Sequence, residues 1–311
     1  MKIEVKNLTR SYGKTKAVNN ISFNFESGSV YGFIGPNGAG KTTTIKIMST
    51  IDTPCSGDVL FDGVSAVEYP EKVRFFLGYM PDTLPENADV VVWEYLDFFA
   101  RAYGLRGAQR TRVLRQIEEF TSLGELREKR LNALSKGMKQ RVCLARALVH
   151  DPHVLIMDEP AAGLDPRARL ELRELVKVLA KQGKAILISS HILSELEDMC
   201  DGAIIIEKGR LLSAGSLNDI GKQHQRDNMT VSIRFLGNAQ DTLKKILQIP
   251  LVENARLSGD NQIIAELAGH DDECSSMICN MVQSGCRIVE FRQQELGLEE
   301  LFMKITQGEV Q

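Results

Sequence analysis

The chain has 311 residues, of which 43% are apolar and 25% are charged, and its net charge at pH 7 is −3. This length allows two domains of ordinary size, and the composition is that of a globular protein. The nearly balanced charge gives no general affinity for nucleic acid or anionic membranes, so we expect no nucleic-acid partner. No apolar stretch approaches the roughly 18 residues that cross a bilayer, so we expect any membrane-spanning part to belong to another chain.

The first two thirds of the chain alternate strand patterns with helical patterns. Apolar periodicity and flanking turn residues predict strands at 3–9, 20–25, 30–35, 58–63, 74–80, 153–159 and 185–190. The same reasoning predicts helices at about 92–121, 137–149, 166–182 and 192–199. Strands that alternate with helices predict an α/β fold, in which helices wrap a mostly parallel sheet.

The composition changes near 221–228, a polar stretch without periodicity that is typical of a linker. Beyond it, the predicted order is β-α-β-β-α-β, followed by a last helix at 297–306. This order predicts that 229–311 form a small ferredoxin-like α+β domain.

A glycine-rich segment follows the strand at 30–35 and opens a helix. Its residues fit GxxxxGK[ST], the phosphate-binding loop of P-loop proteins, and they are Gly35, Pro36, Asn37, Gly38, Ala39, Gly40, Lys41 and Thr42. The glycines allow successive backbone N–H groups to turn toward an anion, Lys41 can reach the β- and γ-phosphates, and the Thr42 hydroxyl can bind Mg²⁺. The alternative is a glycine-rich turn with an unrelated lysine, but the strand before it and the helix after it favour the phosphate loop.

Two further strand ends carry candidate catalytic residues. Asp158 and Glu159 follow the apolar run of 154–157, at the edge of a parallel sheet where ligands collect. We expect Asp158 to hold Mg²⁺ through water and Glu159 to act as the base for the attacking water. His191 follows the strand at 185–190, where it can contact the γ-phosphate or that water. A solvated acidic pair and a structural histidine are the alternatives.

Five motifs together resemble those of the ATP-binding subunits of ABC transporters. In order they are "GPNGAGKTT", "GYMPD", "LSKGMKQR", "VLIMDEPAAGLDP" and "SSH". The resemblance covers residues 1 to about 220 and implies a P-loop NTPase domain with an antiparallel β subdomain and a helical subdomain at about 83–150. It also implies that ATP and Mg²⁺ are the cofactors.

The resemblance implies further nucleotide contacts. Tyr12 would stack on adenine, although alone it would be interpreted as an ordinary tyrosine at a strand end. Thr43 would belong to the phosphate loop. Asp165 would belong to the D-loop, which in this family crosses the interface between two ATPase domains.

The segment "LSKGMKQR" (134–141) places cations in the first two turns of a helix that we expect Ser135 to cap and that runs to about Val149. Cations are mildly unfavourable there, because a helix N-terminus carries partial positive charge. In the family, two ATPase domains close head to tail. The resemblance therefore implies that Ser135, Lys136 and Gly137 face the γ-phosphate of ATP bound to a second ATPase subunit, either an identical chain or a close paralogue. A solvated basic helix face is the alternative.

Asp82 occupies the position at which the Q-loop of the family carries glutamine. Its carboxylate still offers an oxygen to Mg²⁺, but it is shorter and charged. It would also add a third carboxylate near Asp158 and Glu159. Three neighbouring carboxylates either have raised pKa values or are neutralised by a bound cation. We expect Asp82 to be a metal ligand in the loop that couples ATP hydrolysis to the membrane partner.

The pattern "SKGMKQR" resembles the ABC-2-type exporters, in which a separate membrane permease forms the pore. The resemblance thus implies an ATPase at the cytoplasmic face of the cell membrane that powers transport, and the subgroup implies that the direction is export. Aromatic residues concentrate at 93–103, and we expect most of them to be buried in the core. The resemblance implies that a minority of them are exposed and contact the permease. The alternatives are a soluble ABC-type ATPase without a transport role, for example in iron–sulfur assembly, and a regulator with impaired hydrolysis.

Overall fold

The computed structural model describes residues 1–82, 89–196, 199–224, 228–259, 261–268, 271–293, 302 and 305. The chain divides into two units, the first formed by Met1–Leu217 together with Ile305, and the second by Asn218–Lys304. Among the described residues, no helix is both long and apolar enough to cross a membrane.

The described residues of the first unit form ten strands. They are β1 (Lys2–Tyr12), β2 (Thr15–Glu26), β3 (Val30–Ile34), β4 (Ser56–Phe61), β5 (Val64–Ser65), β6 (Leu77–Met80), β7 (Val154–Asp158), β8 (Ala185–Ser190), β9 (Gly202–Glu207) and β10 (Arg210–Ser216). The helices of the first unit are α1 (Lys41–Met48), α2 (Pro70–Arg74), α3 (Val92–Ala102), α4 (Gly107–Phe120), α5 (Lys136–Leu148), α6 (Pro166–Lys181) and α7 (Leu193–Leu196), and α8 (Leu217–His224) begins at the division between the units.

The strands of the first unit form two sheets. An antiparallel sheet has the order β2-β1-β4-β5, and a six-stranded sheet has the order β10-β9-β3-β8-β7-β6. The six-stranded sheet is parallel except for the β9–β10 pair. Phe23 of the first sheet and Phe33 and Leu187 of the second are buried in one shared apolar core. The predicted α/β fold with an antiparallel subdomain is therefore confirmed.

The helical stretch predicted at 92–121 is two helices, α3 and α4, so the prediction of one helix is wrong. The break follows from Gly104, whose φ is +82°, in the left-handed region. The Gly104 N–H donates to the Arg101 carbonyl at 2.9 Å, and the Leu105 N–H donates to the Ala100 carbonyl at 2.9 Å. These two bonds form a Schellman motif, which ends a helix at a glycine.

Two other expectations need correction. Strands β9 and β10, which complete the central sheet, were not among the predicted strands. A linker was predicted at 221–228, but α8 extends to His224, so the first four of these residues are helical. Strand β11 then begins at Asn228, and 225–227 lie outside the described residues.

The second unit contains β11 (Asn228–Leu236), α9 (Ala239–Leu247), β12 (Val252–Leu257), β13 (Gln262–Ala268), α10 (Asp271–Gln283) and β14 (Arg287–Gln293). Its antiparallel sheet has the order β12-β13-β11-β14, and Phe235, Ile263 and Met277 lie in its core. This topology is the predicted ferredoxin-like one. Most of the helix predicted at 297–306 lies outside the described residues, as do 83–88 of the helical subdomain.

Candidate functional site

The glycine-rich loop joins β3 to α1 and packs tightly at two points. A Cβ atom on Gly35 would lie 2.3 Å from the Ile206 carbonyl oxygen, and one on Gly40 would lie 2.4 Å from the Ala17 carbonyl oxygen. Gly38 and Gly40 have φ values of +81° and +102°, which L side chains rarely adopt. A Cβ atom on Gly38 would have no heavy atom within 4 Å. The loop is therefore packed against other backbone at Gly35 and Gly40 and is open at Gly38.

The loop runs directly into the start of α1. Gly40 is the N-cap and offers no side-chain cap, and the first turn has no acidic residue. As at every helix start, the first N–H groups have no carbonyl partner within the helix, so they are available to an anion. The loop and this helix start together present backbone donors, as the motif predicted.

Lys41 is buried, with only 6% of its side chain exposed. Its Nζ donates to the Gly35 carbonyl at 2.7 Å and to the Pro36 carbonyl at 3.4 Å. Burial lowers the pKa of Lys41, while the carboxylates of Glu159 and Asp158 oppose that shift. The ammonium group thus lies against the loop that it was predicted to serve.

Asp158 ends β7 beside Ser189 of β8, because the parallel register pairs these two residues. The Ser189 hydroxyl donates to Asp158 Oδ1 at 2.7 Å and accepts from the Glu159 N–H at 2.9 Å. Burial raises the pKa of Asp158, hydrogen bonds from Ser189 and Thr42 lower it, and the carboxylates of Glu159 and Asp82 raise it. A cation bound to this carboxylate would offset both the energetic cost of burying its charge and the repulsion from the neighbouring carboxylates.

Glu159 lies between a lysine and a histidine. Its Oε1 is 3.7 Å from Lys41 Nζ, and its Oε2 is 2.8 Å from Nδ1 of His191. Its φ is +49°, a strained value for a residue other than glycine, and such values cluster at functional sites. His191 is 42% exposed and Glu159 is 17% exposed, so the pair is reachable by water.

The residues around Asp158 fit a magnesium site of few protein ligands. The described residues contain no cluster of three or more His, Cys, Asp or Glu side chains that could hold a metal ion. Mg²⁺ in nucleotide sites takes one or two protein oxygens plus phosphate and water, and the Asp158 carboxylate and the Thr42 hydroxyl supply that number. Magnesium would there neutralise charge on the phosphate oxygens.

The signature residues form a second group. Ser135 caps α5, its hydroxyl accepting from the Met138 N–H at 3.4 Å, as predicted. A Cβ on Gly137 would contact Leu164 and Ala168 at 3.7 Å, and one on Gly163 would lie 2.7 Å from Lys136 Nζ. The signature is thus packed against residues 163–168.

Asp165 caps α6 through the Ala168 N–H at 3.0 Å. Both Ser135 and Asp165 are exposed, as is Lys136. The signature and the D-loop therefore form one exposed surface, and Lys41, Asp158, Glu159 and His191 form the other group of site residues.

Asp82 is exposed, and its carbonyl oxygen accepts from Gln140 Nε2 at 3.0 Å. Gln140 lies on α5, so a hydrogen bond joins the start of the Q-loop to the signature helix. The carboxylate of Asp82 adds to burial in raising the pKa of Asp158, as expected for a third acid nearby. Neither Gln140 nor Ser189 was predicted from the sequence, although Gln140 lies in "LSKGMKQR" and Ser189 in "SSH". The signal for Ser189 is that a hydroxyl in a buried strand needs a partner.

Tyr12 lies at the end of β1 and is 47% exposed. Its hydroxyl donates to Asp52 Oδ2 at 2.5 Å. The ring is therefore held at a surface where a base could reach it.

Comparison with known proteins agrees with this geometry. A family profile described as "ABC transporter" matches residues 18–162. The Nod factor export ATP-binding protein I of Cupriavidus pinatubonensis is 34% identical over 310 residues, 99% of this chain and 91% of the relative. The linearmycin resistance ATP-binding protein LnrL of Bacillus subtilis is 28% identical over 98% of each chain.

A solved structure described as the ATP-binding subunit of an ABC transporter is 34% identical, with a TM-score of 0.66. The similarity covers 72% of this chain and 93% of that one. The resemblance inferred from five motifs over residues 1 to about 220 is thus confirmed, and the similarity to the first relative extends over 99% of the chain. The chain belongs to the family of ABC transporter ATP-binding subunits, and it is an ATPase whose cofactors are ATP and Mg²⁺.

Proposed function

We propose that this chain is the ATPase subunit of an exporter at the cytoplasmic face of the cell membrane, where a separate ABC-2-type permease forms the pore. The observation that carries the proposal is the contact of Glu159 with both Lys41 and His191 beside the phosphate loop. The relatives named for Nod factor export and linearmycin resistance support export as the direction.

We assign each side chain of the site a separate role in ATP hydrolysis. Lys41 turns from the loop carbonyls toward the β- and γ-phosphates, where its charge stabilises the transferring group. Asp158 and Thr42 would hold a magnesium ion, which would neutralise charge on the phosphate oxygens. Glu159 accepts a proton from the attacking water or orients it, and Nδ1 of His191 holds the Glu159 carboxylate at 2.8 Å.

A second ATPase subunit completes each site in this proposal. Ser135, Lys136 and Asp165 are exposed, and Gly137 lies beside Leu164 and Ala168, which flank Asp165 in the chain. A surface that carries a capped helix start and three exposed polar side chains suits an anion held by another chain. The second subunit is an identical chain or a close paralogue.

The surface proposed for the permease is aromatic. Phe98 on α3 is 65% exposed, and Phe75, which follows α2, is 63% exposed. Phe75 packs edge-on against Tyr103 at 6.4 Å, next to a cleft of about 280 Å³ lined also by Arg74 and Arg146. Large exposed aromatic side chains are candidates for a protein interaction site, and Phe98 is the one that we assign to the permease.

Two measurements test the proposal. The purified chain should hydrolyse ATP with Mg²⁺ and lose this activity in EDTA. In detergent-solubilised membranes, a tagged chain should co-purify a multispanning permease, and Phe98→Ser should weaken the complex while the control Leu212→Ser, 38% exposed on β10, leaves it intact. Equal recovery with both variants would contradict the assigned surface, and no permease would contradict the exporter role.

A further inference from the structure

The end of β1 carries a side-chain cluster that the phosphate chemistry does not use. Asp52 accepts from Arg10 at both oxygens, from Nε at 3.1 Å and from Nη2 at 2.7 Å. It also accepts from the Tyr12 hydroxyl at 2.5 Å and from the Thr53 N–H at 2.8 Å. A carboxylate has about four lone-pair sites, so these four donors use all of them.

The cluster keeps Asp52 charged and fixed. The Tyr12 hydroxyl is the largest cause that holds the pKa of Asp52 below its ordinary value, and the Thr53 N–H and Arg10 act in the same direction against burial. Only 20% of the Asp52 side chain and 24% of the Arg10 side chain are exposed. A bidentate arginine–carboxylate pair has defined geometry, so Tyr12 is bonded to a rigid acceptor.

Arg10 also lies over the Tyr12 ring. Its guanidinium carbon is 4.8 Å from the ring centroid, because residues two apart on a strand lie on the same face. A guanidinium over an aromatic ring is a favourable contact. One face of the ring is therefore covered by Arg10, while 47% of the residue remains exposed.

We propose that Asp52 and Arg10 are positioning residues for nucleotide-base recognition, holding the Tyr12 ring so that its uncovered face stacks on the adenine of ATP. This inference rests on the proposed function and on the expectation, from the family resemblance, that Tyr12 stacks on the base. Ordering a ring before binding removes part of the entropy cost of complex formation, so the cluster strengthens binding of the base and leaves the phosphate contacts unchanged.

The test distinguishes recognition of the nucleotide base from recognition of the phosphates. Binding of the non-hydrolysable analogue AMP-PNP and of inorganic tripolyphosphate, both with Mg²⁺, is measured by calorimetry. Asp52→Ala should weaken AMP-PNP binding by roughly threefold to tenfold, the effect of one hydrogen bond, and tripolyphosphate binding by less than twofold. With ATP, the KM of Asp52→Ala should rise while its kcat is retained.

Three further variants decide whether Asp52 acts through Tyr12. Tyr12→Phe should lose as much affinity as Asp52→Ala, and the double variant should lose no more than either, because they remove one interaction. Asp52→Asn keeps an acceptor for the hydroxyl and should lie closer to the wild type. Asp58→Asn on β4, whose carboxylate accepts from the Val59 N–H, is the matched control and should be unchanged.

Several results would overturn the inference. These are AMP-PNP binding by Asp52→Ala within twofold of wild type, an equal loss of tripolyphosphate binding, and fully additive losses in the double variant. Each could occur while Mg²⁺-dependent ATP hydrolysis stays intact, so the proposed function would survive them. A wild-type chain that binds neither AMP-PNP nor tripolyphosphate would overturn both.

Discussion

The Nδ1 atom of His191 lies 2.8 Å from Oε2 of Glu159, although the two residues follow different strands. Strands β7 and β8 are parallel neighbours in register, so the residues that follow them meet at one edge of the sheet. The other carboxylate oxygen of Glu159 faces Lys41 at the end of the phosphate loop. Glu159 thus joins the loop that holds phosphate to the histidine at the sheet edge.

The first prediction concerns Glu159→Gln. Glutamine keeps the shape of the side chain but cannot accept a proton, so ATP turnover should fall by roughly 10²–10⁴-fold, the usual contribution of a general base. Binding of Mg²⁺-ATP should persist. Steady-state hydrolysis and nucleotide binding are measured together, with Glu174→Gln, an exposed residue of α6, as the control. Turnover within twofold of wild type would remove the assigned role.

Sequence patterns predicted the site better than the elements around it. The phosphate loop, the Asp158–Glu159 strand end and the Ser135 cap depend on local geometry, which a short motif contains. The break at Gly104 was missed because an apolar period continues across it, and only the backbone conformation of one glycine shows the end of α3. Ser189 and Asp52 could not be predicted, since their roles depend on which strand or loop lies beside them.

The second prediction concerns the glycines of the loop. Gly40→Ala should reduce the free energy of unfolding by roughly 2–5 kcal/mol, because it adds backbone strain and a clash with the Ala17 carbonyl oxygen. Gly183 also has positive φ, at +86°, but has no heavy atom near its Cβ position. Gly183→Ala is therefore the control and should cost about 1 kcal/mol. Urea unfolding followed by fluorescence of Trp93, the only tryptophan, measures both.

The third prediction concerns acid stability and His150. Its ring stacks on Tyr103 at 3.8 Å and its Nε2 lies 3.1 Å from the Leu77 carbonyl oxygen. Burial lowers the pKa of His150 from 6.5 to about 4, with the Leu77 hydrogen bond opposing this shift. Between these values the unfolded chain binds a proton that the folded chain excludes, so the free energy of unfolding falls as the pH drops.

Titration of His150 should lower the free energy of unfolding by at most about 2 kcal/mol between pH 7 and pH 5. His150→Phe keeps the stacked ring without the titration, so urea midpoints of this variant should depend less on pH than those of wild type. His153→Gln, at an exposed position, should keep the wild-type dependence. Identical pH profiles for wild type and His150→Phe would contradict the prediction.

The fourth prediction concerns Asp82. Its carbonyl is bonded to Gln140 of the signature helix and its carboxylate acts on Asp158, so the residue is linked to both groups of the site. Asp82→Ala should lower permease-stimulated ATP turnover more than basal turnover, whereas Asp82→Gln should preserve both. Asp89→Ala, which removes an exposed ion pair with Arg130, is the control. Unchanged stimulated turnover in the reconstituted complex with Asp82→Ala would exclude a coupling role.

The last prediction tests whether the signature serves a second chain. In a homodimer with shared sites, each site combines Lys41 of one chain with Ser135 of the other. A Lys41→Ala homodimer then has two defective sites, and so does a Ser135→Arg homodimer. When the two variants are mixed, both defects of a heterodimer fall in the same site, and the other site joins an intact phosphate loop to an intact signature.

Heterodimers isolated by two different tags should therefore trap ATP in one site and regain part of the hydrolysis that neither homodimer shows. The exposure of Ser135 and Lys136 on the surface shared with Asp165 is the structural reason to expect this rescue. Strict cooperativity between sites can suppress turnover, so ATP occlusion is measured beside hydrolysis. If the signature served its own chain, each protomer would keep its defect and mixing would rescue neither. Verified heterodimers without occlusion or hydrolysis would then leave the cations of α5 as an ordinary solvated helix face.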